Sequence, residues 1–289
     1  MKKPLLFNLA VLTLVMVLSM FAKPSVAQTL EPQDGVYRKD HEETRRMVPY
    51  VTLREADIMW SRRIWRIIDM REKMNQFLYY PIEPTNGRKS LISIIMDGIK
   101  DGRLRPYDPV MGDDFKSALT IAEIDALTKG DSIPKRLQRP DPPYDEYDTV
   151  IFRPLDFSNI KKYQIKEDWV FDRQRSVLEV RIIGICPVLA KFDADGNFRG
   201  DKDMFWIYFP ELRKVLANEE IYNRFNNVAQ QITYDDVFMK RIFSSYIYKE
   251  DNVYDRKIDD YLKNGLEALL ESDNIKDQIR NFEHDLWEQ

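Results

Sequence analysis

Lys166-Glu167-Asp168-Trp169-Val170-Phe171-Asp172-Arg173-Gln174-Arg175-Ser176 stands at the centre of a run from Tyr163 to Val215 that decides the fold. Val, Ile, Phe, Trp and Tyr fill three runs there: one ending at Phe171, one from Ser176 to Phe192, and one from Met204 to Phe209. Two polar segments part them, Asp172-Arg173-Gln174-Arg175 and Asp193 to Asp203, the second carrying Asp195-Gly196-Asn197. Branched and aromatic residues suit a pleated, half-buried surface, and Asp-Gly tolerates the backbone of a tight turn. The pattern predicts an α+β fold: an antiparallel meander over about 163–209 with helices from both flanks against its apolar face.

Outward from the meander, the chain divides into a leader over 1–27, an extended arm over 28–49 and a helical region over 50–130. A proline-rich connection over 131–154 precedes the meander and its C-terminal helices at 155–289. Thr52-Leu53-Arg54-Glu55 has the form of a capping box, and Trp60, Ile64, Ile67, Ile68, Met74 and Leu78 follow at helical spacing. These predict a helix of some 25 residues ending before Tyr80-Pro81, with Arg62, Arg63 and Arg66 on its flank. Leu91, Ile95 and Ile99 predict a short helix stopped by Gly102, and Pro106 confines any strand at 104–107 to a sheet edge. Thr120 to Glu123 repeats the capping box and begins a helix ending at Gly130. Pro134, Pro140, Pro142, Pro143 and Pro154 then read as extended connection. After the meander, helices are expected from Pro210 through Phe225 and from Thr233, where Val237, Phe238, Ile242 and Tyr246 share a side. A further amphipathic piece holds Tyr261 to Leu270, and Ser272-Asp273 caps a last helix with Ile275, Ile279, Phe282 and Leu286 along one stripe.

Composition narrows the chemistry. Lys2 and Lys3, the apolar run Leu5 to Ala22 and the small residues Ser25-Val26-Ala27 form a secretory leader cleaved before Gln28, the alternative being an uncleaved anchor. Removal of Lys2, Lys3 and Lys23 takes the formal charge from −4 to −7, unfavourable for nucleic acid or anionic lipid as a main partner. No Cys stands directly after the apolar run to take a lipid, and the single Cys186 lies in a strand-like segment, which reads as a buried free thiol. His41 and His284 sit near the ends, so imidazole-based triads and metal centres lack a scaffold.

Carboxylates are harder to set aside. Glu167-Asp168 beside Trp169, and Asp235-Asp236, pair acids with aromatics in the manner of glycoside cleavage, against a plain reading as solvated or helix-initiating acids. Asp193-Ala194-Asp195-Gly196-Asn197 fails as a calcium loop, since the sixth position is Phe198 and the twelfth Met204. No glycine-rich phosphate cradle is present, and no metal or cofactor is called for.

The segment Lys166 to Ser176 resembles the signature of the gliding-motility GldN (PorN) family. So do Pro187, Phe205-Trp206-Ile207-Tyr208-Phe209-Pro210, Val215-Leu216-Ala217-Asn218 and Tyr234-Asp235-Asp236-Val237-Phe238. Lys240-Arg241, Phe243-Ser244-Ser245-Tyr246 and Asn252-Val253-Tyr254-Asp255-Arg256 extend the similarity, which is densest over 163–258. The resemblance implies a non-catalytic periplasmic component of the type IX secretion and gliding machinery of Bacteroidetes. It implies an outer-membrane lipoprotein partner (GldK/PorK) with which the family builds large rings, and contact with the periplasmic part of the motor component GldM/PorM. Aromatics and arginines are enriched at interface cores. Candidate contacts are therefore Trp60, Arg62, Arg63, Arg66, Trp169 and Arg175, together with the C-terminal stripe of Ile275, Ile279, Phe282 and Leu286. The Arg flank has a solvated face as its plainer reading, and the C-terminal stripe has packing within its own domain. Two further readings stay open: an exported glycan-binding module using Trp169 and Trp206, and a hydrolase using Glu167 or Asp168.

Overall fold

A computed structural model describes residues 45–287, except 86, 129–131, 139–145, 153–155, 194–196 and 224–230. The leader and most of the N-terminal arm lie outside these residues.

The meander is built on two long strands. β5 is Ile160–Asp172 and β6 is Val177–Phe192, paired antiparallel from Asp172↔Val177 to Ile160↔Leu189. Their turn, Arg173 to Ser176, is tied by Asp172 Oδ1, which accepts from the Gln174 amide at 2.9 Å. The third run differs from expectation. The polar segment after Phe192 itself forms a strand, numbered β7 by its place in the chain (Phe198–Asp203), and the apolar run yields only β8, Trp206–Tyr208. Pro210 explains the early end: it lies in the first turn of the helix Phe209–Leu216, where a fixed φ and a missing N–H cost nothing. The expected continuation to Phe225 is not helical either, since Glu220–Ile221 is a short strand paired with Ile232–Thr233.

The largest departure is at the N-terminal side. Where the spacing predicts a long helix, a 3-10 turn at Glu55–Asp57 leads into strand β1, Ile58–Asp69, which pairs along its length with β5. Thr52 makes no cap. β1 lies between β5 and β11 (Tyr246–Glu250), and side chains on both its faces are covered. Trp60, Ile64 and Ile68 point to one face, while Trp65 and Ile67 point to the other. An inner strand apolar on both faces mimics helical spacing, and here β-branched and aromatic content is the better guide.

The sheet runs β11-β1-β5-β6-β8-β2, with β7 also beside β6, and every pair is antiparallel. β2, Pro106–Tyr107, is the expected edge strand, where the missing proline N–H is harmless. In chain order the helices are α1 (Gln76–Tyr79), α2 (Leu91–Lys100), α3 (Ile121–Thr128), α4 (Phe209–Leu216), α5 (Tyr234–Met239), α6 (Ile258–Tyr261) and α7 (Gly265–Trp287). α2 ends as expected at Gly102, with φ +70°. α3 begins at the expected box, with Glu123 Oε2 accepting from the Thr120 amide at 2.7 Å; Gly130 lies outside the described residues. α5 carries the capping box of Thr233 and Asp236, but stops at Met239, so Ile242 and Tyr246 belong to later segments. The proline-rich connection holds two strands, β3 (Ser132–Gln138) and β4 (Glu146–Phe152), which pair only with each other among the described residues.

The sequence suggests two helices after Tyr261, the second capped by Ser272; the structure has one, α7, running through Ser272. That hydroxyl is buried and accepts the Ile247 amide of β11 at 2.9 Å. It satisfies an edge-strand donor and leaves no helix end there to cap.

One face of the sheet packs on α2, α4 and α5 through Ile165, Ile185, Ile207, Leu212 and Phe238. On the same side Ile64 and Ile247 meet Ile258, Ile275 and Ile279 of α6 and α7. The opposite face buries Trp65, Cys186, Trp206 and Tyr248 under the loop that carries Phe115. Phe115 reaches this place because Gly184 has no side chain: a Cβ there would lie 2.5 Å from Phe115 Cζ.

Candidate functional site

Alternation along β5 separates the acids of the central motif. Glu167 and Trp169 face α7, and Asp168 faces the other way. Glu167 is fully buried, and four donors surround its carboxylate. Arg241 gives two hydrogen bonds, Nη1 to Oε2 at 2.8 Å and Nη2 to Oε1 at 3.2 Å. Trp169 Nε1 donates to Oε1 at 3.0 Å, and Arg66 Nη1 lies 3.6 Å from the same oxygen. Arg66 also donates through Nε to Ser245 Oγ at 2.9 Å and through Nη2 to the Ser245 carbonyl at 3.1 Å. Burial lowers the Arg66 pKa from its ordinary value, and the charge of Glu167 opposes that shift. One carboxylate thereby joins β1, β5 and the segment between α5 and β11.

Arg241 occupies an unusual backbone position. α5 closes with the Arg241 amide on the Phe238 carbonyl at 3.2 Å and the Ile242 amide on the Val237 carbonyl at 2.9 Å. This is the arrangement in which glycine normally takes the left-handed residue, and Arg241 takes it with φ +52°. The reach of its guanidinium to Glu167, with Trp169 and Phe243 at 5.7 and 5.4 Å, accounts for a large residue at that point.

The same layer collects most of the sequence candidates. Trp60 stacks on Phe282 of α7 at 4.5 Å. Arg62 pairs with Glu250 and approaches Gln278 Oε1 at 3.4 Å. Ile275 and Ile279 are 1% and 2% exposed, which removes them from any open docking face; Leu286 is half-buried beyond them. Ile275, Ile279 and Phe282 therefore pack within their own chain. Arg63 lies on the opposite face, donating to Asp168 at 2.7 and 2.9 Å, and that hydrogen bond raises its pKa. Arg175 is remote from the layer, in the β5–β6 turn, pairing with Asp172 at 2.6 Å and Glu179 at 2.5 Å.

The geometry bears on the other chemistries. Glu167 and Asp168 point to opposite faces and cannot flank one bond. Asp235 is held by Arg213, and Asp236 caps α5 while pairing with Arg45 at 2.6 Å. Trp206 is buried and offers no sugar platform. The Asp193 amide donates to the Asn197 carbonyl at 2.9 Å, as in a hairpin, with residues 194–196 outside the described set. Among the described residues no group of three or more His, Cys, Asp or Glu is placed to hold a metal ion.

One cluster was missed from sequence. Arg213 of α4 is 1% exposed and grips Asp235 at 2.7 and 3.2 Å. It also donates to the Val48 carbonyl at 2.8 Å, while Arg181 donates to the Val51 carbonyl at 2.5 Å. Tyr50 lies between the two guanidinium groups, at 4.5 and 5.2 Å. Residues 45–53 are thus held as an extended strap by arginines. The available signal was an arginine inside the apolar stripe formed by Leu212, Val215 and Leu216.

Comparison with known families gives a match over residues 53–288 to the family described as gliding motility associated protein GldN. The chain belongs to the GldN family. The matched span takes in the whole seven-stranded sheet, the Glu167 layer and all of α7, so these are features of a GldN chain rather than of an appended piece. GldN membership places the chain among the components of the gliding motility and type IX secretion machinery. A search of curated proteins returned no match. No described helix is long and apolar enough to cross a membrane.

Proposed function

We propose that the chain is a non-catalytic structural subunit of the type IX secretion and gliding machinery. It works in the periplasm after its leader is cleaved behind Ala27. There it builds a large ring with an outer-membrane lipoprotein of the GldK/PorK kind and meets the periplasmic part of the GldM/PorM motor component. The observation that carries this reading is the GldN match across residues 53–288. The arrangement of the motif supports it: Glu167, Arg66, Trp169 and Arg241 are engaged with one another, which suits a rigid body in an assembly.

A lipid-anchored partner would hold an acidic chain at the membrane. Partner binding to the folded state alone also stabilises both proteins by mass action. Deleting the gene and following cargo that carries a C-terminal secretion signal tests the role. Cargo retained in the cell, restored by the intact gene, is expected. Normal export without the chain would refute the reading.

A further inference from the structure

Beside α1 the surface opens into a cavity of about 800 Å³, within the size range of ligand-binding clefts. Phe77, Tyr80, Pro81 and Tyr222 give it aromatic and proline walls, and Lys73 and Arg88 add positive charge. Tyr80 and Tyr222 are 54% and 60% exposed, so large rings face solvent here. Arg88 lies 5.6 Å over the Tyr222 ring and donates through Nη2 to Glu220 at 3.2 Å. Its Nε is buried without a hydrogen-bond partner, and Lys73 makes no ion pair among the described residues. A groove of tyrosines and proline flanked by Lys73 and Arg88 suits an extended, proline-rich segment that carries acids. Such segments need little ordering, and their rings lie against aromatic walls.

The chain carries a segment of that chemistry. Arg139-Pro140-Asp141-Pro142-Pro143-Tyr144-Asp145 joins β3 to β4. Those strands pair with no other strand among the described residues, and a two-stranded ribbon is marginal in water without something to pack on. We propose that segment 139–145 of one copy docks in the Tyr80–Tyr222 groove of a second copy, with Asp141 and Asp145 meeting Lys73 and Arg88. Such a contact joins two different surfaces, so it repeats from copy to copy and closes a ring or extends a filament. It rests on the scaffold reading above and adds the contact between neighbouring subunits.

A labelled peptide of residues 137–147, titrated onto the mature chain, tests the groove. Saturable binding is expected, weakened at least tenfold by Tyr80→Ala with Tyr222→Ala, and equally by replacing the three peptide prolines with Ala. Both tyrosines are exposed, and a thermal melt confirms that the variant remains folded. Binding that is absent, or unchanged in the variant, overturns the proposal. To test the direction of the contact, a copy with Tyr222→Cys and a differently tagged copy with Tyr144→Cys are mixed and oxidised; the buried Cys186 stays out of reach. A disulfide joining the two tags is expected. No such bridge, with one forming inside a copy that carries both changes, overturns it. Rings built with the lipoprotein from the Tyr80→Ala/Tyr222→Ala chain would end this proposal and leave the scaffold reading intact. Peptide binding by a chain that forms no large particle would do the reverse.

Discussion

Glu167 is fully buried, and removing its charge leaves Arg66, nearly buried, and Arg241, partly exposed, without their shared carboxylate. Breaking a buried pair by deleting one partner typically costs about 3–5 kcal/mol. Glu167→Gln is expected to lower unfolding stability by about 3 kcal/mol in urea titrations. A loss under about 1 kcal/mol would show that Arg66 and Arg241 find water or other acceptors. At Arg241 the backbone and the ion pair oppose each other. Arg241→Ala loses the Glu167 contact and keeps the left-handed φ, whereas Arg241→Gly loses the same contact and relieves the backbone. Glycine is therefore expected to be the more stable variant, by about 1 kcal/mol. Equal stabilities would remove the strain argument.

In the β5–β6 turn, the Arg175 hydrogen bond holds the Asp172 carboxyl below its ordinary pKa. A depressed folded-state pKa gives stability that is present above the unfolded carboxylate value and lost as pH falls through the folded one. The stability gap between the parent chain and Arg175→Ala should therefore close as the solution is acidified through the carboxylate range. A gap that is constant with pH would contradict this. These residue roles were only partly legible in the sequence. Acids beside Trp169 stood out, but their assignment to opposite sheet faces needed the strand register, and Arg241 is distant from Glu167 in the chain.

Among the elements, β1 and α7 show what periodicity resolves and what it leaves open. β5 and β6 were readable because branched and aromatic runs end in polar turns. β1 was not, since Trp60, Ile64 and Ile68 recur every four residues, which satisfies a helix and one face of a strand alike. β7 was missed for the opposite reason: Phe198-Arg199-Gly200-Asp201-Lys202-Asp203 is too polar to signal a strand, and it is recruited by the long edge of β6. The α7 stripe was legible as apolar, and the structure adds what covers it. Ile275→Ala or Ile279→Ala empties a site between α7 and the Ile64–Ile247 layer, with an expected cost of about 2–4 kcal/mol each in chemical denaturation. Losses below about 1 kcal/mol would mean that α7 is only loosely attached.

At the scale of the molecule, the sheet joins residues from the N-terminal side, the centre and the C-terminal side, since β1 lies between β11 and β5. Truncating α7 is therefore expected to expose Ile64 and Ile247 and drive aggregation, read by light scattering; a monodisperse truncated chain would contradict that. The arginine-held strap at 45–53 and the Tyr80–Tyr222 groove were invisible as sites in the sequence, because each is assembled from segments far apart in the chain. The account as a whole holds that this GldN chain acts by being built into a larger body. Gentle extraction of cell envelopes, followed by sizing and imaging of the affinity-purified chain, tests that claim most directly. The account predicts one very large ring-shaped particle containing the chain and an outer-membrane lipoprotein, and a strictly monomeric chain without a partner would contradict it.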